Sequence, residues 1–595
     1  MNGFQTIFHK TELCIIGGGI AGLCAAVAAA RHGTKVVLMH ERPMLGGNAS
    51  SEIRMWICGA HGKNNKETGL IEEMMLENQY RNPDKNYSIW DGILYEMARY
   101  QPNIELLLNC TCNECDMEGG RIRRVRGWQM TTQRFHEVEA GLFADCSGDS
   151  VLAPLTGADF RMGREAEREF GEDIAPQQAD KKTMGMSCMI QAREESRPSE
   201  FIPPSWAYHY TRDDLPHRLP DMSNPSENFW YLELGGEMDA IADTEILRDE
   251  LLKTAYGLWD YVKNAPENKE KNQNWRLDWM GILPGKRESR RYLGDHILTQ
   301  NDVRAGGKFP DLVAYGGWSM DDHHPGGFLT REQPTIYYPA PSPYGIPYRC
   351  LYSRNVENLM FAGRNISVTH TAMSSTRVMA TCGAIGQAVG TAASIALRDK
   401  ISPRGVYETR IEELKQTLME DDCYLPFNRR KVPALTMEAK IKCASPEAGN
   451  LRNGFDRPIG DADNGCALAL GQSVSYAFAR TVHVGRVRLI WDSDLNRETL
   501  PEAEFKLNRN MIHNRPLGWP DSYPPKTLTR AYKIEGVMAD GTKALLYETS
   551  ENHQRLNFIE LDAWVKELIL TPLSTWGSAA CHLFSFDVAE RKLQP

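Results

Sequence analysis

Residues 13–41 read as strand, glycine turn, helix, strand and acid in unbroken order, and few folds accept that order. Leu13-Cys14-Ile15-Ile16 is a short apolar run, the pattern of a strand buried on both faces. It stops at Gly17-Gly18-Gly19-Ile20-Ala21-Gly22, a G-x-G-x-x-G turn. In such a turn Gly17 permits the tight bend and Gly19 lets the backbone approach a pyrophosphate. Gly22 lets the next helix pack close to the strand. That helix, about 21–32, is Ala-rich and closed by Gly33. Its first amides, around Ile20 and Ala21, would face phosphate. A second apolar strand, Lys35-Val36-Val37-Leu38-Met39, leads to Glu41, placed to accept hydrogen bonds from ribose hydroxyls. The order predicts a dinucleotide-binding βαβ unit and leaves flavin or nicotinamide open.

Three later segments favour flavin. Arg42-Pro43-Met44-Leu45-Gly46-Gly47-Asn48-Ala49-Ser50 places a second glycine turn directly after the ribose acid. It resembles the segment that wraps the pyrophosphate in glutathione-reductase-type flavoproteins. Phe143-Ala144-Asp145-Cys146-Ser147-Gly148-Asp149 resembles the strand end that returns the chain to the cofactor. Asn358-Leu359-Met360-Phe361-Ala362-Gly363-Arg364 resembles the late strand and turn that close over the flavin. The chain then runs through Ser367–Arg377, which includes Ser375, into a small-residue helix at 383–393. That helix can serve close packing, or aim its N-terminal dipole at a reduced flavin.

With Arg287-Glu288-Ser289-Arg290-Arg291, Gly294, Asp295 and Tyr344-Gly345-Ile346-Pro347-Tyr348, these motifs resemble the FAD-dependent oxidoreductase family of the FAD_oxidored type over about 11–430. The resemblance implies FAD and redox chemistry, not one substrate. The cofactor residues it implies are Gly17, Gly19, Ile20, Ala21, Gly22, Glu41, Arg42, Gly46, Gly47, Asn48, Ala49, Ser147, Gly148, Gly363, Arg364 and Ser375.

At 595 residues the chain exceeds one core. The expected fold class is α/β, a Rossmann-like FAD-binding domain with an inserted α+β cap and a C-terminal all-β sandwich. The FAD domain spans 1–160 and returns at 345–400. A substrate or cap domain at 161–344 is rich in Trp and Tyr, which suit stacking on sugar rings. A helical connector fills 401–430. From 431 to 595, Val474, Tyr476 and Phe478 alternate with smaller or polar residues, and so do Val487, Leu489 and Trp491. The stretch from Asn453-Gly454 to Asn496 resembles discoidin-like, galactose-binding jelly rolls.

A net charge of −10 without a Lys/Arg stripe argues against nucleic acid. The N-terminus lacks a signal-peptide core, and no stretch reads as long and apolar enough to span a bilayer. The fourteen cysteines fit free thiols, and Cys110, Cys112 and Cys115 lack the second half of a zinc site. The expectation is a cytoplasmic protein without a metal, acting on a small molecule, with the oligomeric state open.

Hydride transfer to a flavin needs a base near the reacting carbon. The segment 321–327 is a candidate loop, holding His323 and His324 beside Asp321 and Asp322, with a solvated turn or a structural metal site as the competing readings. His370 is a second candidate, with backbone hydrogen bonding as its competing role. Arg287 and Arg291 are candidates for an anionic substrate or the flavin, with a structural ion-pair network as the alternative. The expected function is oxidation of a small polar substrate, a carbohydrate hydroxyl first. Reduction of an unsaturated carboxylate, and glycan binding around a structural flavin, are the alternatives.

Overall fold

The computed structural model describes residues 3–497 and 509–590. The chain forms two compact units, one comprising Met1–His61, Lys85–Lys415 and Arg509–Pro520, the other Gly62–Asp84, Gln416–Asn508 and Asp521–Pro595. The residues expected as a separate cap thus share a unit with both FAD-domain segments. The helix Leu70–Arg81 belongs to the second unit although it lies early in sequence.

The first unit is organised by a five-stranded parallel sheet. Its strands are β1 (Leu13–Ile16), β2 (Val36–Met39), β3 (Ile104–Leu107), β4 (Leu142–Asp145) and β5 (Leu359–Phe361), in the order β5-β4-β1-β2-β3. The runs LCII, VVLM, LFAD and LMF are buried at every position, as a sheet covered on both faces requires. Helix α1 (Ile20–Arg31) follows the first glycine turn, and α2 (Met379–Asp399) crosses it. A Cβ at Gly386 would sit 2.1 Å from the Ala21 carbonyl oxygen, and one at Gly390 would sit 2.1 Å from that of Ala25. The small residues of α2 therefore seat its backbone on α1. By length and composition α2 could also cross a membrane, contrary to the expectation that no stretch could; it is instead buried in this unit. Cys110, Cys112 and Cys115 lie on the strand Cys110–Glu118 of a separate four-stranded sheet.

The cap segment packs Phe229 and Met186 in one core with Leu251 and Trp259 of the helix Thr244–Asn264. One feature departs from expectation. Met320–His323 is a strand, paired antiparallel with Thr335–Tyr338, so the loop begins only at His324. Strand geometry turns alternate side chains to opposite faces, which separates Asp321 and His323 from Asp322.

The second unit is a β-sandwich. Seven strands form one hydrogen-bonded set, and two of them, Val474–Trp491 and Leu556–Thr575, are long. Register shifts interrupt their pairing, and their neighbours change along their length, which lets the set close around one core. Val474, Tyr476, Val487, Leu489 and Trp491 lie in that core, while Phe478 packs on it partly buried. Arg488 is buried too, paired with Asp456 at 2.8 Å.

Candidate functional site

Two glycine turns converge on the N-terminus of α1. Gly46 donates its N–H to the Gly18 carbonyl at 2.8 Å, and Gly19 bridges to Gly46. Gly17 and Gly46 have φ of +101° and +103°, a region that favours glycine. A Cβ at Gly22 would sit 1.9 Å from the Gly17 oxygen, so the motif's third glycine is required by packing. At Gly19 the nearest atom to a Cβ would be the Gly47 Cα at 3.9 Å. Nothing in the protein crowds Gly19, and no side chain caps α1. First-turn amides without a cap, beside a bare glycine, suit an anionic group.

His40 joins the turns. Its Nδ1 accepts from the Gly18 N–H at 3.0 Å, and its Nε2 donates to the Met44 carbonyl at 3.0 Å. Nothing in the glycine spacing singled it out. At Glu41, burial raises the pKa, and Arg42 beside it works the other way, holding the carboxyl low. Ala49 accepts from the Trp90 indole N–H at 2.9 Å, and Asn48 donates its side-chain amide to the Lys286 carbonyl at 3.1 Å.

The strand end 145–149 anchors the next turn. Buried Asp145 accepts from the Ser147 N–H at 2.9 Å, the Ser147 hydroxyl at 2.7 Å, the Leu152 N–H at 2.8 Å and the Tyr292 hydroxyl at 2.6 Å. Asp149 binds Arg364 at 2.7 Å, Lys286 at 2.9 Å and the Ser289 hydroxyl at 2.8 Å. Burial opposes ionisation there, but Arg364 and Lys286 hold its carboxyl down to about 2. Arg364 thus backs Gly148 with its guanidinium. Ser375 is buried, donating to the Trp318 carbonyl at 2.5 Å and bonded to the Tyr344 hydroxyl at 2.6 Å. Gly363 has φ +115° and lies against Ala21.

Lys286 and Arg287 are neighbours in sequence that serve different clusters. Arg287 is buried and donates to the Ser187 hydroxyl at 2.8 Å and the Trp230 carbonyl at 2.9 Å, with Glu233 at 3.6 Å. Burial lowers its pKa. His323 sits between two carboxylates, with Glu233 at 2.6 Å from Nδ1 and Asp321 at 3.3 Å from Nε2, and Trp230 edge-on at 5.2 Å. Asp321 also accepts from Thr335 at 2.6 Å and Arg377 at 3.1 Å. Despite burial, His323 and Arg377 hold Asp321 well below the usual carboxylate range.

The opposite strand face serves a second cluster. His370 contacts Glu288 at 2.9 Å through Nδ1 and Asp322 at 3.1 Å through Nε2. Glu288 also binds Arg291 at 3.0 Å, and Arg291 binds Glu165 at 2.8 Å. Burial would lower the His370 pKa, but Glu288 and Asp322 raise it to about 10. His370 is therefore an imidazolium at neutral pH, unsuited to act as a base. Arg291 gives its two terminal nitrogens to Glu288, the Gly163 carbonyl and Glu165, the network alternative. His324 is a turn residue whose Nδ1 accepts from the Gly326 N–H at 3.0 Å. Of the five candidate catalytic residues, the structure brings Arg287 and His323 together and puts His370 and Arg291 in a neighbouring ion network. Glu233, Arg377 and Tyr337 complete the first group, and no local motif marked them.

A parallel sheet with two glycine turns at one helix N-terminus defines a dinucleotide-binding fold of the oxidoreductase class. The model of the FAD dependent oxidoreductase family matches residues 12–418, and the chain belongs to that family. It is an FAD-dependent oxidoreductase, and FAD is its cofactor. No curated protein matches it. Solved structures similar to it include a variant of E. coli quinol fumarate reductase FrdA, at 12% identity, covering 70% of this chain and 75% of that one, TM-score 0.27. A geranylgeranyl bacteriochlorophyll reductase-like protein from Thermoplasma acidophilum is 11% identical, covering 70% and 85%, TM-score 0.30. The family 32 carbohydrate-binding module of Streptococcus pneumoniae EndoD is 15% identical, covering 27% of this chain and 99% of the module, TM-score 0.20.

Proposed function

We propose that this enzyme oxidises an alcohol carbon of a small polar substrate, a carbohydrate hydroxyl first, and that His323 takes the hydroxyl proton. FAD, when bound, accepts the hydride. The residues that would hold it are the two glycine turns, the first amides of α1, and Glu41 at the ribose. The observation that carries the reading is His323 itself. Glu233 binds Nδ1 at 2.6 Å, and Nε2 has only the longer contact to Asp321 at 3.3 Å, the side on which a substrate hydroxyl would take the place of that carboxylate. A carboxylate partner orients an imidazole for proton transfer.

The link to the cofactor side is short. Lys286 belongs to the Asp149–Arg364 turn and Arg287 to the His323 group, so one peptide joins the two. Aromatic rings surround the group. Trp318 stacks on His61 at 4.2 Å and Trp230 meets His323 edge-on, and such rings suit sugar faces. The test is the visible spectrum of the FAD-loaded protein, taken anaerobically before and after adding sugars and sugar acids. Bleaching by one of them supports oxidation. No bleaching by any, with reoxidation of the reduced protein by an unsaturated carboxylate, would establish the reverse direction instead.

A further inference from the structure

We infer that the substrate carries a carboxylate, making it a sugar acid, and that Arg377 and Tyr337 receive that group. This rests on the oxidation reading above and names its substrate class. Two arginines face the His323 group, and they differ in what they have left to offer. Arg287 has both terminal nitrogens engaged, with Ser187, Gly185 and Trp230. Arg377 engages one, donating to the Asp321 carbonyl at 3.2 Å and carboxylate at 3.1 Å. Its Nε is buried and has no hydrogen-bond partner. A buried donor left unpaired destabilises the empty site, and a bound acceptor would relieve it.

Tyr337 completes the subsite. It pairs across the hairpin with Asp321, and its ring lies within electrostatic reach of Arg377, Arg287 and Cys58. It is 57% exposed, and its hydroxyl has no partner among the described residues. An exposed ring over a buried charged group is a poor use of a tyrosine in the apo fold, and a good one against a ligand. The charge balance agrees. Glu233 and Asp321 offset Arg287 and Arg377, so these four groups present no net negative charge to an arriving carboxylate. A planar guanidinium edge matches a carboxylate better than it matches a hydroxyl.

The experiment is calorimetric binding to the dithionite-reduced holoenzyme under anaerobic conditions, where oxidation cannot proceed. The probes are glucuronate, its methyl ester and glucose. Glucuronate should bind at least about tenfold more tightly than either neutral probe. Arg377→Gln should abolish that preference and Arg377→Lys should keep part of it. Tyr337→Phe, at an exposed position that leaves folding intact, should weaken glucuronate by about threefold or more. Glucuronate binding no tighter than glucose, including no binding, overturns the inference. So does a preference that survives Arg377→Gln in protein that retains its flavin. A preference for glucuronate without bleaching of the oxidised enzyme would keep the inference and remove the oxidation reading. Bleaching by neutral sugars without preference would do the reverse.

Discussion

Two regions of the first unit meet at Lys286 and Arg287, and they are built from opposite materials. On the cofactor side the working groups are backbone: bare glycines, uncapped amides and one strand-end acid. On the cap side they are side chains. Glu165, Arg291, Glu288, His370 and Asp322 form one chain of buried charge, and Arg287, Glu233, His323, Asp321 and Arg377 form another. A backbone site is tuned by what is absent, so a single Cβ spoils it. A charge network is tuned by pairing, so the loss of one member leaves its partners stranded.

That contrast can be broken at four points. Arg291→Met has the largest expected effect on stability, because it leaves Glu165 without its close cation and Glu288 with His370 alone in the interior. We expect a loss of about 3–5 kcal/mol in denaturant unfolding of the first unit. If the loss were below about 1 kcal/mol, the network would not be the cap's structural element. Next comes Gly22→Ala, whose Cβ would sit 1.9 Å from the Gly17 oxygen. It should cost about 1–3 kcal/mol by overpacking, with the flavin lost too.

The third test uses pH. His370 is raised from 6.5 to about 10 in the folded chain, so its contribution is whole below pH 6.5 and is lost as pH rises through 10. Thermal scans across that window should show a decline that His370→Gln flattens, at a cost of about 1–3 kcal/mol at neutral pH. A variant with the wild-type slope would remove the imidazolium assignment. The smallest change in stability is expected at Gly19→Ala. The protein has room for that methyl, so stability should move by less than about 0.5 kcal/mol. Flavin retained after desalting should nevertheless fall about tenfold. Equal retention would show that Gly19 does not face the cofactor.

The same contrast explains what could be read from the sequence. Gly17, Gly19, Gly22, Gly46 and Gly47 are close in the chain because a backbone turn is a local object, so their spacing was legible. The alternation of Val487, Leu489 and Trp491 was legible for the same reason, since strand geometry is local. The charge networks join residues from 165 to 377, and no spacing rule spans such distances. Residue type alone marks His370 and Arg291, and only their partners show that one is an imidazolium and the other already sits in an ion network. The adjacent acids and histidines of 321–327 suggest a loop. Its first three residues are a strand because Asp321 and Asp322 each find a cation on their own face.

The most direct test of the whole account is the anaerobic rate of flavin reduction by a bleaching substrate, measured against pH in wild type and His323→Gln. The account predicts equal flavin content and a rate about 10²–10⁴-fold lower in the variant across the profile. A variant that reduces its flavin at the wild-type rate, with the same profile, would contradict it.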